Sequence, residues 1–255
     1  MTNRIFWIAA NTVVELVRDR VMQGLAFVGV FLILCGRLIA EMSVVERARM
    51  ITDVGAGAVF LTGVLAVLFA GTNLLDREIR ERSALCILSK PVSRSAWLAG
   101  KVLGLAAVLC VLIMALTAFL VFFLWAETGI VAWKLFAGGV FLYLMLLIVM
   151  GYSVLFSTIT SQFMALFFGF LVVIIGHMVD DLKIYWASKA AGAQIVTKLF
   201  YFVLPDLKLF SAWRVTGEHS IIAPVEALWL VLYCIAFLLI TLVLASVILE
   251  RKEFE

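Results

Sequence analysis

Six stretches of this chain are long and apolar enough to cross a lipid bilayer, and no other feature narrows the fold so far. A spanning α-helix needs about 20 mostly apolar residues. Residues 21–39, 54–75, 102–125, 135–156, 163–179 and 225–249 reach or approach that length with few charges. In hydrocarbon every backbone N–H and C=O must find a partner within the protein, so such runs are expected as helices. Composition agrees. The chain is 65% hydrophobic and 15% charged, with mean hydropathy +1.16, whereas soluble domains run at about 45–50% and 25%. The expected fold class is an all-α integral membrane protein with six transmembrane helices in one domain, residues 1–255. To these are added an N-terminal interfacial helix (1–20), a polar helical segment (76–101) and a long structured loop before the last helix (180–224).

Residues 1–20 do not read as a span. Ile5, Ile8, Thr12 and Leu16 form one stripe, with Phe6, Val13 and Val17 beside it, and Arg4, Glu15, Arg18, Asp19 and Arg20 interrupt the apolar run. The apolar run 5–10 is too short for a signal peptide, and no small-residue cleavage site follows it. An amphipathic helix on the membrane surface fits, with its arginines meeting anionic headgroups. Gly100 and Gly104 stand at GxxxG spacing. In a glycine-containing apolar run that spacing is expected by chance, and no helix contact is inferred from it. The uncharged turn Ser157–Gln162 offers hydroxyls and an amide to satisfy loose helix ends.

Asp76–Lys101 is the longest polar interruption in the first two-thirds of the chain, and carries Arg77, Arg80, Arg82, Lys90, Arg94 and Lys101. Ile79, Leu85 and Leu88 recur at helical spacing, so an amphipathic helix is expected over 76–88. Pro91 disfavours helical geometry at Lys90 and should end that helix near Ser89. Ser93 can cap a second short helix leading from Arg94 to the span at 102. The expected arrangement is helix, break, helix, lying flat on the basic side of the membrane.

The run Glu78…Arg82-Ser83…Leu88-Ser89-Lys90-Pro91-Val92-Ser93-Arg94…Gly100-Lys101 resembles the cytoplasmic coupling segment of ABC-2-type transporter permeases. Within that family it is most similar to the group associated with multicopper enzyme maturation, such as the nitrous-oxide reductase accessory permease. The resemblance implies that residues 1–20 are an elbow helix and that 76–101 is a cytoplasmic coupling segment. It assigns ATPase coupling to Glu78, Arg80, Arg82, Ser89, Pro91 and Arg94. It also implies a permease subunit that pairs with a second copy of itself and with two copies of a P-loop ATPase. ATP and Mg would be held by that ATPase and no cofactor by this chain. Ser83 departs from the usual Gly-Thr step and leaves the local helix geometry open. The plain alternative is that these charges form a solvated face.

Residues 180–224 contain Tyr185, Trp186, Phe200, Tyr201, Phe202, Phe210 and Trp213. Lys183, Lys189 and Lys198 argue against a full span there. An amphipathic or partly re-entrant helix is expected, then a break at Pro205 and an ordered loop. Leu204-Pro205-Asp206-Leu207 through Phe210 resembles a step that the family places before its last span. By that resemblance Tyr185, Trp186, Phe200 and Trp213 would meet cargo or an outer-side accessory protein; an ordinary interfacial aromatic belt is the plainer reading.

Short-loop Lys and Arg residues set orientation. A cytoplasmic N-terminus puts Arg4, Arg18, Arg20, the six basic residues of 76–101, Arg251 and Lys252 inside. It leaves Arg37, Arg47, Arg49 and Lys134 in the outer short loops. Both termini are therefore expected inside a bacterial-type cytoplasmic membrane. This charge pattern fits contact with membrane lipid and not with nucleic acid.

No enzymatic chemistry is visible. Gly100-Lys101 is followed by Val102 and lacks the earlier glycine of a P-loop. Cys35, Cys86, Cys110 and Cys234 never pair at CxxC spacing, and His177 and His219 make no metal or haem set. The expected function is a permease subunit of an ABC transporter. A membrane anchor that recruits a different cytoplasmic partner is the alternative.

Overall fold

The computed structural model describes residues 2–41, 47–80, 94–129, 131–187, 204–214 and 224–251. They form α1 (Thr2–Arg18), α2 (Arg20–Ala40), α3 (Arg47–Arg80), α4 (Arg94–Thr128), α5 (Lys134–Ile159), α6 (Gln162–Ala187), a 3-10 helix (Leu207–Arg214) and α7 (Pro224–Arg251). No strand occurs among the described residues. Helices α2 to α7 each contain a stretch long and apolar enough to cross a membrane, six in all. Consecutive spans alternate in direction, so the bundle has two ends. The base holds α1, the C-terminal ends of α3, α5 and α7, and the start of α4. The crown holds the 3-10 helix and the start of α7.

Helices α3 and α5 form the interior. About two-thirds of each apolar stretch is buried (67%), against 22% for α2 and 17% for α7. Helix α3 packs on α2, α4, α5 and α6. Lipid tails are as apolar as leucine, so helices in a membrane associate through close packing more than through the hydrophobic effect. Small residues on α3 permit that approach. A Cβ on Gly63 would lie 2.7 Å from Leu146 Cδ1 and 2.8 Å from Ile113 Cδ1, and one on Gly71 would lie 3.0 Å from Ser153 Cβ. Gly29 of α2 likewise receives Thr62 of α3, and Gly139 of α5 receives Thr117 of α4.

The chain turns between α1 and α2 at Asp19, whose backbone is extended (φ −68°, ψ 125°). Its carboxylate accepts a hydrogen bond from the Val21 N–H at 2.8 Å and caps α2. At the crown, Arg37 Nη1 meets Glu127 Oε1 at 3.0 Å and ties the end of α2 to the end of α4. Trp125, Trp133 and Trp229 are exposed there, as befits an interfacial belt. Phe6 and Trp7 are exposed at the base.

Three expectations are corrected. The helix beginning at Arg94 is continuous with the third span through Thr128; no proline interrupts it, so no separate short helix lies flat before residue 102. The residues from Asp76 to Arg80 continue α3 instead of opening a new helix. Helix α6 runs on past Asp180-Asp181 to Ala187, while its stretch apolar enough to cross a membrane is Gln162–Val179. The Gly100/Gly104 pair is a packing surface: a Cβ on Gly104 would lie 2.7 Å from the Ala9 carbonyl oxygen and 2.6 Å from Thr12 Cβ.

Gly63 and Gly57 lie on one helix and differ in what faces them. Gly63→Ile should lower the melting temperature in detergent, at a cost of about 1–3 kcal/mol for overpacking, with helicity retained. Gly57, also on α3, has nothing within 4 Å of a Cβ. Gly57→Ala should leave the melting temperature unchanged or raise it, because alanine is the better helix former by up to about 1 kcal/mol. Equal effects from the two would contradict the packing role of Gly63.

Candidate functional site: the base of the bundle

The polar segment leaves α3 at Arg80 and rejoins the bundle at Arg94. Each of its two ends is held by a different element. The C-terminal part of α3 is held by the turn between α5 and α6. Ser157 Oγ donates to the Thr72 carbonyl oxygen at 3.0 Å. The Gln162 side-chain amide donates to the Asn73 side-chain oxygen. Ser157 and Thr72 are both buried, and two hydrogen bonds, from the two ends of the turn to adjacent residues of α3, fix angle as well as distance. Within the turn, Thr160 Oγ1 donates to the Phe156 carbonyl oxygen at 2.9 Å and Thr158 Oγ1 to that of Leu155 at 2.6 Å. The uncharged hydroxyls thus satisfy the loose carbonyls at the end of α5.

The start of α4 is held by α1. Ile8 and Thr12 of α1 lie in the groove that Gly100 and Gly104 leave on α4. Thr12 is buried, and its hydroxyl is turned back to the Ile8 carbonyl at 2.9 Å, which lets its methyl group face the glycine. One residue along, Lys101 Nζ meets Glu15 Oε2 at 3.2 Å. The lysine is only 4% exposed. An ammonium so deeply placed stays charged economically only with a counter-charge at hand, and Glu15, seven residues beyond Ile8 on the same helix, supplies one. Trp97 and Leu98, one turn earlier in α4, are buried as well.

Of the residues assigned to coupling, Glu78 and Arg80 lie on the last turn of α3 and Arg94 is the first residue of α4. Arg82, Ser89 and Pro91, with the Ser93 cap, fall outside the described residues. The backbone therefore brings Glu78, Arg80 and Arg94 to the same end of the bundle. At the crown, Tyr185 and Trp186 lie on the last turns of α6 and Trp213 in the 3-10 helix, while Phe200 is outside the described residues. Pro205, Asp206, Leu207 and Phe210 are buried. The Asp206 N–H donates to Tyr233 Oη at 2.9 Å, and Leu207 fills the space above Gly176. His177 contacts the Val173 carbonyl oxygen at 2.8 Å and meets Phe60 edge-on, 5.5 Å between ring centroids.

Sequence reading missed the Glu15–Lys101 pair and the Asn73–Gln162 pair. The sequence places Lys101 among the basic residues of the polar segment, although Gly100, Gly104 and the apolar residues Val102 and Leu103 mark it as a residue of a packed helix. The second pair joins residues 89 positions apart, which no local pattern could connect.

A family model described as ABC-2 family transporter protein matches residues 7–254. No curated protein matches the chain in sequence.

The ion pair carries an asymmetric prediction. Glu15→Gln leaves the buried ammonium of Lys101 without this counter-charge, at an expected cost of about 3 kcal/mol. Lys101→Met puts an apolar chain in the same space and leaves a carboxylate whose side chain is 37% exposed and can be hydrated. Thermal unfolding of the purified protein should therefore show the larger loss for Glu15→Gln. Equal losses, or a larger one for Lys101→Met, would contradict the account.

Proposed function

The chain belongs to the ABC-2 family of transporter proteins, and from that premise we propose how this membrane subunit is driven. It works as one of two copies joined to two copies of a separate P-loop ATPase, which binds ATP and Mg. The base faces the cytoplasm, with both termini on that side of a bacterial-type cytoplasmic membrane. The segment between α3 and α4 docks on the ATPase, with Glu78, Arg80 and Arg94 at its two roots and Arg82, Ser89 and Pro91 between them.

The observation that carries this reading is the double anchorage of the segment. Its N-terminal root is hydrogen-bonded to the α5–α6 turn, and its C-terminal root is continuous with α4 and ion-paired to α1. A push on the segment therefore acts on both halves of the bundle at once. Packed helices move as rigid bodies, so a small displacement at the base can become a shift of whole spans. The chain itself supplies no P-loop, and the power stroke comes from the partner. At the crown, the cargo or an outer accessory protein is met near Tyr185, Trp186, Phe200 and Trp213. Membership of the group that serves multicopper enzyme maturation would make that cargo a species handed to an outer enzyme.

Charge reversal at the roots tests the assignment. Glu78→Lys and Arg94→Glu, each reconstituted with the ATPase, should reduce permease-dependent stimulation of ATP hydrolysis by about tenfold, as expected for loss of about 1.4 kcal/mol of coupling. The melting temperature of the permease alone should stay unchanged. Normal stimulation and normal assembly in both variants would contradict docking through this segment.

A further inference from the structure

At the crown, α7 and the 3-10 helix enclose an open recess of about 650 Å³. Its described lining is Leu209, Trp229, Leu230, Leu232, Tyr233 and Ala236, with Glu226 at one end. We propose that this recess holds one acyl chain of a membrane phospholipid whose headgroup carries an ammonium, and that Glu226 receives that ammonium.

Three observations lead there. The first is length. Glu226 and Ala236 are ten residues apart on one helix, about 15 Å at about 1.5 Å per residue. That is the depth of one leaflet of a hydrocarbon core about 30 Å thick. The second is level. Glu226 lies in the first turn of α7, one turn before Trp229, and Trp229 is 68% exposed. A tryptophan at the end of a span marks the headgroup region, so the carboxylate sits at headgroup height and the apolar wall below it at chain height. The third is charge. Glu226 is the one carboxylate in the described lining, and no ion pair to it is found among the described side chains. A carboxylate there repels an anionic headgroup and attracts a cationic one. Nearby, the buried contact of Phe210 with Tyr233 (6.3 Å between centroids) and the hydrogen bond from the Asp206 N–H to Tyr233 Oη brace the wall from behind. The recess is thus backed by fixed side chains and can select by shape as well as charge. With α7 the least buried of the six spans, this side of the bundle is open to lipid.

The inference does not depend on the ATPase reading; it needs only that α7 crosses the membrane. The test uses the full chain in nanodiscs made of equal amounts of phosphatidylethanolamine and phosphatidylglycerol, with retained lipid read by native mass spectrometry. The wild-type protein should retain phosphatidylethanolamine over phosphatidylglycerol by about three- to fivefold, the discrimination expected of one solvent-accessible charge pair. Glu226→Gln should bring that ratio to about one. Ala236→Trp, which fills the foot of the recess, should reduce retention of both lipids while leaving the melting temperature in place. A wild-type ratio of one, or a ratio that survives Glu226→Gln, would overturn the proposal. So would retention unchanged by Ala236→Trp, or a second copy of the chain cross-linking through Trp229→Cys in place of retained lipid.

Discussion

Close approach of helix backbones is the constraint on which the rest of this structure depends. A chain in hydrocarbon gains little by exchanging lipid contacts for leucine contacts, so its helices must gain dispersion energy by packing tightly. Here the tight points are glycines facing side chains of the next helix: Gly63 against Leu146 and Ile113, Gly29 against Thr62, Gly139 against Thr117, and Gly104 against Thr12. Two of these crossings bury threonine hydroxyls, those of Thr62 and Thr117, which have no hydrogen-bond partner among the described residues. The glycine backbone approaches them closely, as in the weak Cα–H···O contacts found where helices cross.

The same packing gives the base its mechanical character. Helix α1 is seated on α4 by the Gly100/Gly104 groove and locked by Glu15 and Lys101, and it leads directly into α2 through the Asp19 turn. Helix α3 is joined to the α5–α6 turn by Ser157 and Gln162. The polar segment therefore bridges the α1–α4 pair on one side and α3 with the α5–α6 turn on the other, and α3 also packs against α4 along its glycines. The crown is closed differently. There Arg37 and Glu127 tie α2 to α4 in a partly exposed ion pair worth about 1 kcal/mol or less, and Pro205, Asp206, Leu207 and Phe210 are buried against α5, α6 and Tyr233 of α7.

Much of this was legible in the sequence, and the reasons for the rest are physical. The six spans could be read because a bilayer imposes a length and a composition that few other constraints mimic. The stripe Ile5, Ile8, Thr12, Leu16 was legible because helical periodicity survives packing: Thr12 and Leu16 are buried on α4. Helix ends were not. Asp180-Asp181 resembled a stop, yet a helix passes from hydrocarbon to water without breaking, because its backbone bonds are internal in both. The burial of Lys101 was hidden because its counter-charge lies 86 residues away. The GxxxG spacing at Gly100 cannot by itself say whether a partner helix is present, and that partner is α1. The recess beside Trp229 had no signature at all, since it is made by the offset of two elements and not by a motif.

The central claim is that this bundle is the membrane half of a machine driven by another chain. The most direct measurement isolates the tagged protein in mild detergent, identifies what comes with it by mass spectrometry, and assays ATP hydrolysis in the eluate. A P-loop ATPase recovered in equal amount, with vanadate-sensitive hydrolysis, is the result expected here. Recovery of the intact chain with a cytoplasmic partner that binds no nucleotide, under conditions that keep known transporters assembled, would contradict the claim and identify the protein as a membrane anchor.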